Sequence, residues 1–227
     1  MRIKERWICI VFLFVLCPVT AYSQTDLYGL SGGEVAIAVS FGRSQNSSGM
    51  GGSVSYGISD RTKVALTGGI SFIDEDLYDS SSVHLPPAFG SGVALIHIRP
   101  LGQTGLDYFF SGGVHTTFSR TLDASTNKLL ASARSVGLSG GGGLLKRLET
   151  DFGWSLNPFC SIVFSEAGAN LDTKDGSVEV RGDPTFFNFA GGVGLEIEIS
   201  PMISIVGGFQ ISLKDFNRGF SIGLNFH

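Results

Sequence analysis

The chain has 227 residues, of which 43% are hydrophobic and only 16% charged, with 32 glycines, 18 phenylalanines and 7 prolines. Soluble domains carry about 25% charged residues and about 7% glycine, so the chain is charge-poor for one, and sparse proline excludes a collagen-like or disordered Pro/Gly chain. The formal net charge is −4. No basic patch with interleaved aromatics occurs, which argues against nucleic acid as a partner.

Arg2, Lys4 and Arg6 open the chain and an apolar stretch follows over 7–21. Ala21 and Ser23 stand at the −3 and −1 positions of a cleavage point before Gln24. Residues 1–23 therefore read as a secretory signal peptide, its apolar part too short for a spanning helix. Cys17 offers a competing lipoprotein signal, but Leu16 before it is not the small residue that such a site takes. Residues 24–227 are expected to form one barrel domain with Cys160 as its single cysteine, so no internal disulfide can form. That segment holds 13 basic and 19 acidic side chains, a net charge of −6.

From there the dominant period is two, the signature of strands. Over 34–41, Val35, Ile37, Val39 and Phe41 point one way and Ala36, Ala38 and Ser40 the other. Over 53–59 the apolar face is Val54, Tyr56 and Ile58, and over 63–73 it is Val64, Leu66, Ile70 and Phe72. Further segments cover 88–99, 105–118, 135–145, 152–164, 186–199, 203–213 and 219–226, the last alternating Phe220, Ile222, Leu224 and Phe226 with Ser221, Gly223 and Asn225. The total is ten strands, with eight plus an extended hairpin as the alternative. Most run longer than the ~5–6 residues of ordinary strands and match the ~9–11 of a tilted transmembrane strand.

The connections alternate between short (60–62, 100–104, 146–151, 201–202) and longer (43–50, 74–87, 119–134, 165–185, and the brief 214–218). Outer-membrane barrels have short periplasmic turns and long external loops, and an even strand count with both termini inside produces this order. Asp172 to Gly176 has the composition of a hairpin tip, so the longest loop is expected to extend the barrel outward as two strands.

Aromatics concentrate at strand ends. Phe41, Phe72, Phe118 and Phe164 close strands running outward, and Phe89, Phe187, Phe189 and Phe220 open strands running back from the same rim. Tyr108, Phe110, Trp154 and Phe226 fall near the opposite rim, so two aromatic belts are expected. Glycine pairs recur within strands, at 68–69, 112–113, 191–192 and 207–208, with a run over 140–143. They permit the bending that closes a small barrel and leave lumen space for Phe109 and Phe159. A phosphate-cradling role for the run is excluded by the missing Gly-Lys-Ser/Thr and the missing helix pattern.

The chain resembles the small outer-membrane β-barrel proteins, the porin-like and OmpA-like barrel domains. The resemblance is carried by the alternation from Phe189 to Ile199, the short turn, the segment Ile203 to Phe209 and the closing alternation to Phe226. It implies an antiparallel up-and-down transmembrane barrel in the outer membrane. Members commonly end on an aromatic read by the assembly machinery; here Phe226 is penultimate and His227 last.

No catalytic, cofactor-binding or metal-binding set emerges, and no cofactor is expected. His84, His97, His115 and His227 lack partners at metal or triad spacing. His115 shares a face with Asp107, Ser111 and Thr117, which leaves an embedded hydrolase acting on lipid or peptide as the alternative to a non-catalytic barrel. Glu196 and Glu198 fall on the small face near the inner rim, where they form either a cation-selective constriction or a lumen salt bridge, with Lys63, Lys146 and Arg147 as candidate partners. Asp74, Glu75, Asp76, Asp79, Asp172, Asp175 and Asp183 make the external loops acidic without a calcium-loop spacing. Cys160 is expected to face lipid or to pack, and Pro158 to mark a bulge or a distorted pairing. The expected protein is a monomeric outer-membrane barrel with a structural, surface-interaction or narrow-pore role. Its partners are membrane lipid, lipopolysaccharide and an unspecified loop ligand.

Overall fold

The computed structural model describes residues 30–45, 47–73, 83–173, 176–180, 188–213 and 216–227. The expected signal segment 1–23, Phe187, and Asp74, Glu75, Asp76, Asp79, Asp175 and Asp183 lie outside the described residues. The strands are β1 Val35–Ser44, β2 Ser47–Ser59, β3 Thr62–Ile73, β4 Val83–His84, β5 Ala88–Pro100, β6 Asp107–Asp123, β7 Leu129–Leu145, β8 Leu148–Glu149, β9 Ser155–Thr173, β10 Gly176–Val180, β11 Asn188–Ser200, β12 Ile203–Ser212 and β13 Arg218–Phe226. β4, β8 and β10 are short additions. The other ten strands, each antiparallel to its neighbours, close in the order β9-β11-β12-β13-β1-β2-β3-β5-β6-β7 and back to β9. The ten-strand count holds, and the extended hairpin exists as well, as β9 with β10.

The register fixes the size of the barrel. One row of inward residues descends from Ala167 on β9 through Gly137, His115, Gly92, Thr67, Ser53, Ala38, Asn225, Ser204 and Glu198. It returns to β9 at Ser155, 12 residues below its start. With ten strands, about 4.7 Å between strands and about 3.3 Å per residue, that stagger sets a strand tilt of about 40° and a backbone radius of about 10 Å.

The two faces are reversed relative to a soluble barrel. Val35, Ile37, Val39 and Phe41 on β1 point outward and stay exposed, while Ala36 and Ala38 between them are buried. The same holds around the wall, with Leu66, Val93, Val114, Leu138, Ile162, Val193 and Ile222 exposed and Ser55, Ala65, His115, Ser135, Ser165 and Asn225 buried. Cys160 is exposed on the outer face of β9.

We call near the end that holds Leu30 and Phe226, and far the opposite one. Near-end turns are short, as expected. At the far end the expected long loops give way in two places to longer strands. β1 and β2 meet in a tight hairpin closed by the Ser44 and Ser47 hydroxyls, 2.8 Å apart, where a loop over 43–50 was expected. Residues 119–134 are mostly strand, because β6 and β7 each run 17 residues and meet at a short turn. β9 runs 19, and the remaining long strands run 9 to 13. The result is a lip of sheet, β4-β6-β7-β9-β10, rising above one side of the far rim. Pro158 causes no bulge: the β9–β11 register passes through it unbroken, and β7 has already ended beside Phe159. Its missing N–H therefore falls where the ladder on one side has stopped.

Candidate functional site: the filled lumen

Strand parity decides what enters the lumen, and on β5, β6, β7 and β9 it sends in bulky groups. Phe109 and Leu145 are buried, with Ile98 and Phe159 packed against them. Space for the two rings comes from glycine. A Cβ on Gly143 would run into the Phe109 ring, and one on Gly194 into the Phe159 ring. The run over 140–143 makes room for Phe109, as the glycine pattern suggested, while the room for Phe159 comes from Gly194, which lies outside the pairs and the run.

Directly beside this aromatic group lies a polar one. Asn157, Glu196, Ser204 and Asn225 come from four successive strands and are all 0% exposed. Ser204 Oγ donates to Glu196 Oε1 (2.8 Å), Asn157 Nδ2 to Glu196 Oε2 (3.3 Å), and Asn225 Nδ2 to Glu196 Oε1 (3.4 Å) and Ser204 Oγ (3.1 Å). Asn157 Nδ2 also donates to Glu198 Oε1 (2.9 Å), so one amide ties the two carboxylates together. Arg147 Nη2 reaches Glu198 Oε2 at 2.7 Å, an ion pair, and Ser155 Oγ at 3.2 Å. A buried carboxylate is tolerated only where donors replace its water, and Glu196 accepts from Ser204, Asn157 and Asn225. Of the basic candidates, Arg147 is the partner of Glu198, Lys146 points to solvent, and Lys63 is buried.

The N-terminal segment adds to the near-end closure. Leu30 is buried, Gly33 N donates to Gly57 O (2.8 Å) and Gly32 N to Asp60 Oδ1 (3.1 Å). Gly57 faces inward, and a Cβ there would meet the Ser31 carbonyl, so the segment lies against the inside of the wall. Neither this strap nor the roles of Asn157, Ser204 and Asn225 emerged from the sequence. Ser204 and Asn225 carried a signal in their parity, but their neighbours depend on the stagger between strands.

His115 is buried in the lumen, its ring over Gly137, where an added Cβ would stand 2.5 Å from Nε2. Thr117 and Ser135 share a short hydrogen bond one row farther out. Asp107 shares its face, as expected, but lies eight residues down the same extended strand, about 26 Å away at about 3.3 Å per residue. A shared face on a strand is not proximity, and His115 and Asp107 do not pair with each other. His97 lies at the near end, in a hydrogen bond with Thr62 Oγ1 (2.8 Å) and accepting one from Arg99 Nε (2.9 Å). Among the described residues no three His, Cys, Asp or Glu side chains converge on a metal-sized site.

No protein-family model and no curated protein matches the chain. Among solved structures it is similar to the transport unit of the autotransporter AIDA-I from Escherichia coli, at 11% identity over 100% of this chain and 99% of that one, with a TM-score of 0.51. It is also similar to the beta domain of the Bordetella autotransporter BrkA, at 13% identity over 87% and 100% of the two chains and a TM-score of 0.49. The attachment invasion locus protein Ail of Yersinia pestis matches at 14% identity over 86% and 96%, with a TM-score of 0.36. At 11% identity the likeness to AIDA-I is one of fold: this chain is a closed antiparallel β-barrel.

Proposed function

We propose that the protein is a non-catalytic barrel of the outer membrane, closed to solutes, that anchors its far-end surface outside the cell for structural or interaction purposes. The outward face supports the membrane location. Each large apolar side chain left in water forgoes about 1.5–3 kcal/mol, and this wall leaves Val35, Ile37, Leu66, Val93, Leu138, Val193 and many more exposed. Lipid is the solvent that removes that cost, and closure of the sheet satisfies the backbone there. Exposed Phe41, Phe72, Phe89, Phe164 and Phe220 toward the far end, with Tyr108, Phe110, Trp154 and Phe226 toward the near end, suit the two interfaces.

The observation that carries the closed-lumen assignment is the 0% exposure of Asn157, Glu196, Ser204 and Asn225 inside the barrel. A water-filled pore would wet these groups. Reconstituted in a planar bilayer, the protein is expected to show no stable ohmic conductance. A steady open level in the native protein would return it to the pore class.

A further inference from the structure

Above the floor that Phe109 and Phe159 make, the lumen changes character. Ser111 stands two residues beyond Phe109 on β6, and Ser161 two beyond Phe159 on β9, both turned inward. At the tilt that the stagger sets, one step along an inward row descends about 3 Å, and one residue along a strand spans about 2.5 Å of height. By that measure Asn157, Glu196, Ser204 and Asn225 share one level, which their hydrogen bonds to one another require. Ser40 of β1, Ser53 of β2 and Thr67 of β3 likewise fall within about 4 Å of Ser111 and Ser161 in height. The five hydroxyl residues form a ring about 6 Å above the level of Phe109 and Phe159. All five face inward and are partly exposed, as is Phe159. Solvent reaches inward groups only through the lumen, so a well lies above the floor. With a backbone radius of about 10 Å and serines on its wall, the well is about 12 Å wide.

We propose that this well binds a neutral sugar, its hydroxyls on the serine–threonine ring and one C–H face against Phe159. The inference rests on the closed lumen proposed above, because the closure is the floor of the site. Charge decides the class of ligand. Among the described residues, His115 is the one titratable side chain on the wall between the floor and the Thr117–Ser135 pair, and it is buried. Lys63 and Glu196 lie at floor level and are buried too. An ionic ligand would leave water for a site with no exposed counter-charge. An apolar ligand would cover the hydroxyls without bonding them, at the full cost of their lost water. A sugar answers both conditions, since its hydroxyls donate to and accept from Ser and Thr alike. Its C–H face meets the electron-rich face of a phenyl ring. Among the described residues Thr67 Oγ1 has no hydrogen-bond partner, and a sugar hydroxyl there would supply one.

The test uses the full chain refolded in an amine-oxide detergent, which carries no sugar headgroup. Glucose and galactose are the neutral probes, with glucuronate and galacturonate as their charged counterparts, and saturation-transfer NMR titrations read the affinities. At least one neutral sugar is expected to bind, with its uronate at least tenfold weaker. S111A/S161A should lose about tenfold, and S53F, which fills the well from its thin side, should abolish binding. Heat-shifted gel mobility in the same samples reports folding, so binding is scored on folded protein. Binding of neither neutral sugar, a uronate bound as well as its parent, or unchanged binding by the folded S111A/S161A or S53F barrel would each overturn the proposal. Planar-bilayer recordings of the same preparation separate it from the closed lumen. Silence without sugar binding leaves the closure standing, and a steady open level removes the closure itself.

Discussion

Glu196 is the residue on which the near-end lumen depends, because three donors from three other strands end on its two oxygens. Truncation would strip partners from groups that water does not reach, at about 1–3 kcal/mol for each one left unsatisfied. Glu196→Ala is accordingly expected to lower the urea midpoint of the refolded barrel by an amount equivalent to about 2–4 kcal/mol. Glu196→Gln keeps one acceptor and should cost less than the Ala change. Equal midpoints for native and Ala variants would show that the network adds nothing to stability. Gly194 makes the complementary case on the apolar side. A methyl there meets the Phe159 ring and the Gly207 carbonyl, so Gly194→Ala should cost about 1–3 kcal/mol as an overpacked site, read from the same titration.

At the scale of elements, the lip above the far rim is pinned at its β6–β7 turn by one carboxylate. Asp123 Oδ1 accepts from the Ser125 hydroxyl (2.6 Å), the Thr126 amide (2.8 Å), the Thr126 hydroxyl (2.9 Å) and the Ser125 amide (3.0 Å). These bonds, the Ser125 hydroxyl foremost, pull its pKa from 3.8 down to about 2. A lowered folded-state pKa stabilises above the unfolded value and ceases to as the acid protonates, so the turn should hold fully above pH 3.8 and loosen as pH falls through about 2. Intrinsic-rate-corrected amide protection at Ser125 and Thr126 between pH 2 and 5 should follow that course, and Asp123→Ala should abolish it at every pH. The same region shows where the sequence was legible. Period-two alternation found all ten long strands because large outward side chains mark every second position. It stopped short where those positions go polar or small: Arg120 and Arg134 ended the pattern on β6 and β7, and Ser48 and Gly52 hid the first half of β2. A backbone ladder needs no apolar side chain, so the strands continue where the pattern fades. The polar group around Glu196 was half legible, since parity sent the side chains inward but only the stagger between strands says which of them meet.

For the molecule as a whole, a backbone radius of about 10 Å leaves room for a water-filled channel only if the lumen side chains are small. Along β1, β2 and β13 they are: Ala38, Ser40, Gly42, Gly51, Ser53, Ser221 and Gly223 line that side. Across from it, Phe109, Leu145 and Phe159 occupy the space. The proposed closure thus rests on a few bulky residues set against a wall of small ones, which makes it reversible by substitution. Phe109→Ala with Phe159→Ala would remove two rings beside Gly143 and Gly194, positions that add no side chain of their own. Such truncations cost about 3–5 kcal/mol each in a packed core, so the double variant should unfold at lower urea while still showing heat-shifted mobility. In planar bilayers it should carry a small, steady ionic current where the native protein is expected to carry none. If the double variant folds and stays silent, the Glu196 network and the Leu30–Glu34 strap close the barrel unaided, and the aromatic group serves stability alone. If it conducts, the rings are the gate.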